Sequence, residues 1–111
     1  MTVRQMVKEM QIEIRDRELL PDRAAVLLTK LTALVGNTND EIRLADAEYA
    51  SHLLVCLQAD EAVNRARVRA ETSAEYQRKR EARDTRELVK EMIGGLKYLL
   101  RNEAEAMRLT R

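Results

Sequence analysis

His52 and Cys56 stand four residues apart, the spacing that puts a base and a nucleophile, or two metal ligands, on one face of a helix. Tyr49 and Asp60 extend the same line. As a metal site the set is incomplete, because a structural zinc takes four protein ligands and the chain has one His and one Cys. As a thiol–imidazole pair it lacks a visible third group to orient the ring. The expectation is a buried histidine and thiol on a helical seam. Of the three glycines, Gly36, Gly94 and Gly95, none follows a strand, so no phosphate-cradling loop is present. Asp46 and Glu48 read as solvated surface. No catalytic residue, metal or cofactor is expected, and an enzyme is not.

The stronger signal is charge. Residues 64–86 hold eight basic side chains (Arg65, Arg67, Arg69, Arg78, Lys79, Arg80, Arg83 and Arg86) against four acids (Glu71, Glu75, Glu81 and Asp84). Guanidinium groups suit two-pronged contact with phosphate or carboxylate, so a basic stretch of this kind can meet nucleic acid or an acidic protein. Arg65, Arg69, Tyr76, Arg78, Lys79, Arg80 and Arg83 are the expected contacts, with Tyr76 placed to stack on a base. The bland alternative is a solvated helical arm whose cations pair with their own acids, as Glu75 with Lys79 and Glu71 with Arg67 would at four-residue spacing.

These residues must be positioned by helices. Ile42, Tyr49, Cys56, Val63 and Ala70, with Ala45, His52, Ala59 and Ala66, form a seam of 3.5-residue period. The pattern resumes at Ala82, Thr85, Val89, Met92, Leu96 and Leu99. Folding the chain back at Glu71-Thr72-Ser73 sets Val63 against Ala82, Cys56 against Val89, His52 against Met92, Tyr49 against Leu96 and Ala45 against Leu99. The expected architecture is all-α, a long antiparallel helical hairpin over residues 38–108. Hydroxyl caps at Thr38 and Thr72, each with an acid three residues on, would start its two helices. The first, over residues 39–71, would be about 50 Å long. Its thinly apolar end, between Gln58 and Glu87, would project as an arm.

Upstream, Val3, Met6, Val7, Met10 and Ile14 share one helical face, opened by a Thr2-x-x-Gln5 box. Pro21 begins a second short helix whose face is Ala24, Leu27, Leu28, Leu31, Leu34 and Val35, stopped by Gly36-Asn37. Both are expected to pack on the open end of the hairpin, giving one domain over residues 1–111. Close packing of a neighbouring helix is expected at Gly94-Gly95, and fraying in the tail from Asn102 to Arg111.

Composition agrees with a helical protein: 111 residues, 45% apolar and 35% charged, with no Phe or Trp and one Pro. The formal net charge is only +1, so no global pull on nucleic acid or membrane exists. The start of the chain lacks a signal-peptide core, no apolar run approaches a membrane span, and the lone cysteine forms no internal disulfide. A cytoplasmic protein that does not enter a membrane is expected.

The run Ala62-Val63-Asn64-Arg65-Ala66-Arg67-Val68-Arg69-Ala70, then Ser73-Ala74-Glu75-Tyr76, Arg83-Asp84-Thr85 and Leu96-Lys97-Tyr98-Leu99-Leu100, resembles small uncharacterised helical proteins of bacteriophages and prophages. The resemblance spans about residues 38–101. It implies a phage accessory protein of a recombination or early region, acting in the host cytoplasm, and it supplies no site residues. The leading expectation is a non-enzymatic module binding nucleic acid or a DNA-processing protein through the basic arm. Rival readings are a counter-defence inhibitor docking on a host protein and an oligomer that sequesters small nucleotides. The alanine-rich seam also allows a homodimer.

Overall fold

The computed structural model describes residues 2–16, 18–59 and 62–109. Four helices account for almost all of them: α1 (Val3–Asp16), α2 (Pro21–Ala59), α3 (Val63–Glu71) and α4 (Ala74–Leu109). There is no strand among the described residues. The molecule is a rod of 73 × 25 × 23 Å.

The expected hairpin is there, but it folds elsewhere. Cys56 packs with Ala66 and Ala70, not with Val89, and Ala45 packs with Ile42 and Ala82, not with Leu99. The chain therefore reverses between α2 and α3, and α3 and α4 both run back along α2. No reversal occurs at Thr72-Ser73. There Thr72 keeps near-helical angles (φ −97°, ψ 4°), its N–H bonding Val68 O and that of Ser73 bonding Ala70 O.

A phase argument explains this interruption. Ala66 and Ala82, both buried against α2, are sixteen residues apart, which on an unbroken helix leaves them about 160° apart in azimuth. The break rotates the face so that Ala82 and Thr85 point inward where Arg80 and Asp84 otherwise would. Ser73, not Thr72, then caps α4: its Oγ accepts the Tyr76 N–H at 3.2 Å.

The second correction concerns α2, expected as two helices split at Gly36-Asn37. It is one helix of 39 residues. Thr38 does not cap a new helix. It is buried, and its hydroxyl donates to Val35 O at 2.7 Å, a bond made within a continuing helix. Buried or packed positions Ala24, Leu27, Leu31, Leu34, Thr38, Ile42, Ala45, Tyr49 and Cys56 keep the three–four spacing in phase straight through Gly36. Burial of that unbroken face outweighs the roughly 1 kcal/mol that a mid-helix glycine costs.

α1 lies on one face of the lower half of the hairpin and turns it into a three-helix bundle. Its Thr2–Gln5 box is formed reciprocally, Thr2 N–H to Gln5 Oε1 at 2.9 Å and Gln5 N–H to Thr2 Oγ1 at 3.2 Å. Val3 and Val7 enter the main core with Ala24, Leu27, Leu31, Val89, Met92 and Leu96. Arg4 Nη1 donates to Glu81 O and Thr85 Oγ1 at 3.3 and 3.2 Å, and Arg23 grips Glu13 with two bonds of 2.7 and 2.8 Å. Beyond Thr2 only two helices remain.

Close packing at Gly94-Gly95 is not found: a Cβ added to either glycine meets nothing within 4 Å. The tail is helical to Leu109, with every residue from 101 to 109 exposed.

Candidate nucleic-acid interface

Asp46 and Glu48 are two residues apart on α2, about 200° around the helix, and so mark opposite flanks of the hairpin. Each reaches across to α4. Arg78 Nε lies 3.3 Å from Glu48 Oε2 on the flank that carries α1, and Arg83 Nη2 lies 2.8 Å from Asp46 Oδ2 on the other. Neither acid is mere solvated surface, and each bridge was out of reach for a hairpin folded ten residues later. Over residues 41–86 there are nine basic and nine acidic side chains. Reversal before α3 lays the acidic end of α2 beside the basic stretch, so the expected positive arm becomes a two-sided rod of balanced charge.

On the Asp46–Arg83 flank, Tyr49 of α2 and Tyr76 of α4 form a tilted ring pair with centroids 5.4 Å apart and planes at 50°. Lys79 Nζ sits 4.5 Å above the Tyr49 ring, and the Arg80 guanidinium carbon 6.0 Å from the Tyr76 ring. Tyr76, Lys79 and Arg83 share this side because they follow one another at three- and four-residue steps, and Arg80 stands four residues after Tyr76. Burial, then the nearby Glu71 and Tyr76, pushes the Tyr49 hydroxyl above the usual phenol range, so it stays protonated. Aromatic faces and guanidinium planes bordered by cations are what unpaired bases and phosphates need.

Arg65, Arg67 and Arg69 ride on α3, whose Ala66 and Ala70 are fully buried against α2. Arg67 lies close enough to Tyr49 to act on its hydroxyl, whereas Arg65 and Arg69 fall on the other flank of α3, the one marked by Glu48. The seven expected contact residues are thus divided. Tyr76, Lys79, Arg80 and Arg83 come together, while Arg65, Arg69 and Arg78 occupy the α1 flank. Tyr49 was missed as a member of the site because its seam position spoke only for packing.

The fold also gives His52 a third group. Cys56 Sγ lies 3.6 Å from His52 Nε2, and His52 Nδ1 lies 3.9 Å from Glu75 Oε2. Glu75 reaches this place because α4 begins beside residue 52. Its own backbone N–H at the start of α4, followed by His52, Ser73 and Arg78, holds its carboxyl below the ordinary range. The thiol is 3% exposed, closed over by Ala66 and Ala70, so the row links α2 to α4 and offers no approach to a substrate. His52 itself is only half-buried. Asp60, the expected extension of this line, lies outside the described residues. No group of three His, Cys, Asp or Glu among the described residues is placed to hold a metal ion. No helix among them is long and apolar enough to cross a membrane.

No family model matches the chain, and no curated protein or solved structure matches it.

Proposed function

We propose that this chain is a non-enzymatic helical binding module that takes single-stranded nucleic acid on the Tyr49–Tyr76 side of its hairpin. The observation that supports this reading is the ring pair with Lys79 and Arg80 beside it, with Arg67 near the Tyr49 hydroxyl and Arg83 on the same flank, bridged to Asp46. Bases would stack on the rings or on the Arg80 plane, and phosphates would meet the cations. The bridge from Asp46 orients Arg83 without covering the rings. The sequence resemblance adds a setting, a phage accessory protein acting on recombination or replication intermediates in the host cytoplasm. Because the rod as a whole is nearly neutral, affinity has to come from this local cluster and not from long-range steering.

The test is fluorescence anisotropy with a labelled single-stranded oligonucleotide. Four cations neutralising four phosphates give a salt slope near −2.8, so affinity should fall about fiftyfold between 50 and 200 mM salt. Tyr76→Ala should cost about 1–3 kcal/mol of binding, and Lys79→Ala with Arg80→Ala should roughly halve the salt slope, to about −1.4. Binding unchanged in the triple variant would discard the proposal. In that case capture of one host protein, with nuclease present, is the expectation of the inhibitor reading.

A further inference from the structure

The cations of α4 are not scattered around it. Lys79 and Arg83, beside the rings, are followed along the helix by Arg86 and Lys90, then by Lys97, Arg101 and Arg108. At about 100° per residue all seven fall within a sector of about 60°, in single file over about 44 Å. Only Arg78 and Arg80 of this helix stand outside it, and no acid of α4 stands within it. We infer that this row is a track for one strand of nucleic acid, which stacks at Tyr49 and Tyr76 and continues along α4 toward Arg108. The inference rests on the ring site proposed above and assigns its ligand a length: a strand able to lay about seven phosphates on the row, not a single nucleotide.

Three observations carry it. The flank is open and continuous with the ring site. The groove between α1 and α4 is lined by Leu88 and Gly95, about 160–180° round α4 from Lys79, so α1 leaves the row uncovered. Lys97, Arg101 and Arg108 are exposed. The facing surface of α2 is nearly uncharged. Within the matching sector around Asp46 that residue alone carries charge, and it is already bridged to Arg83, while Thr32, Asn39 and Ala50 are exposed and neutral.

The acids, finally, keep to other faces. Asp84, Glu87, Glu91 and Glu105 lie about 40–100° beyond the edge of the row, toward solvent, and Glu81 and Glu103 turn the other way. Glu87 alone reaches in, 3.7 Å from Arg86 and 3.9 Å from Lys90, and such exposed pairs contribute little and yield to a phosphate. On the α1 flank stand Glu9, Glu13, Glu41 and Glu48. A chain of net charge +1 thus turns one basic flank outward. The strand is single because rings take unpaired bases, and because one file of charge has no second file for a duplex's other backbone.

Fluorescence anisotropy with labelled oligothymidine strands of about 4 and 15 nucleotides tests it, with circular dichroism to confirm folding. Each cation engaged adds about 0.7 to the salt slope, so the short strand should give near −2.8 and the long one near −6. Lys97→Ala, Arg101→Ala and Arg108→Ala together should flatten the long-strand slope by about 2 and leave the short strand's unchanged. Removing three cations elsewhere, by Lys8→Ala, Arg15→Ala and Lys30→Ala, should change neither. A long-strand slope indifferent to the Lys97, Arg101 and Arg108 changes, while Tyr76→Ala still weakens binding, overturns the track and leaves the ring site standing. An equal loss from the Lys8, Arg15 and Lys30 changes overturns it too, since net charge alone would then act. So does equal affinity for a duplex of the same length. Binding of neither strand removes both readings together.

Discussion

At the residue scale, Glu75 ties the start of α4 to α2. It stands at the first turn of α4, accepts from its own backbone N–H, and faces His52 and Arg78. A carboxyl held below its ordinary range in the fold stabilises above the unfolded value, about 4.3, and that contribution is lost as pH falls through the folded one. The urea midpoints of wild type and Glu75→Gln should therefore differ at pH 6 and converge by about pH 3. A gap that persists unchanged into acid would show that the carboxylate's charge is not what acts there. None of this was visible in the residue pattern, where Glu75 appears only as the acid of a capping box. Its partner His52 is twenty-three residues away in sequence, and the fold point decides whether they meet.

At the scale of elements, three glycines sit in helix interiors with φ in the ordinary range and open space where a Cβ would go. Gly36→Ala, Gly94→Ala and Gly95→Ala should each stabilise by about 1 kcal/mol, since alanine gives up less chain freedom and fits without strain. Calorimetry should show the melting point rising about 4 °C or more per substitution. A fall at Gly94 or Gly95 would reveal a contact at those positions that the fold does not contain.

The same glycines show what the chain's own pattern could and could not reveal. Helix content, the hairpin and the α1 box were legible because they depend on periodicity and local caps. The break at Gly36-Asn37 was a false stop. The seam from Ala24 to Cys56 runs in phase through it, and that phase was the better evidence. The fold point was hidden for the opposite reason: Gln58-Ala59-Asp60-Glu61-Ala62 contains no Gly, Pro, Ser or Thr. The hydroxyl residues at Thr72-Ser73 mark a change of helical phase, which in sequence looks the same as a reversal. Misplacing the fold in turn divided the expected contact set, since Arg78 and Arg83 could not be assigned to opposite flanks without their partners Glu48 and Asp46.

At the scale of the whole molecule, a 73 Å rod whose main core lies in its lower half, with only two small clusters beyond it, has stability concentrated at one end. Amide exchange should be slowest around Leu27, Leu31 and Val89, all at most 1% exposed, and fastest along α3, which buries only Ala66 and Ala70. Uniform protection along the rod would contradict a two-part structure. Small-angle scattering adds a second measure. A monomer should reach about 73 Å, and a markedly longer particle would show end-to-end association.

The helical discontinuity after α3 has a consequence for how such a chain can change. Because it resets the azimuth between two stretches of seam, the distal half behaves as a cassette whose register is set separately from that of the three-helix end. Adding one heptad to α2 above Cys56 and one to α3 should extend the reach by about 10 Å while leaving α1 and its neighbours undisturbed. The rod is in that sense a ruler with a movable tip.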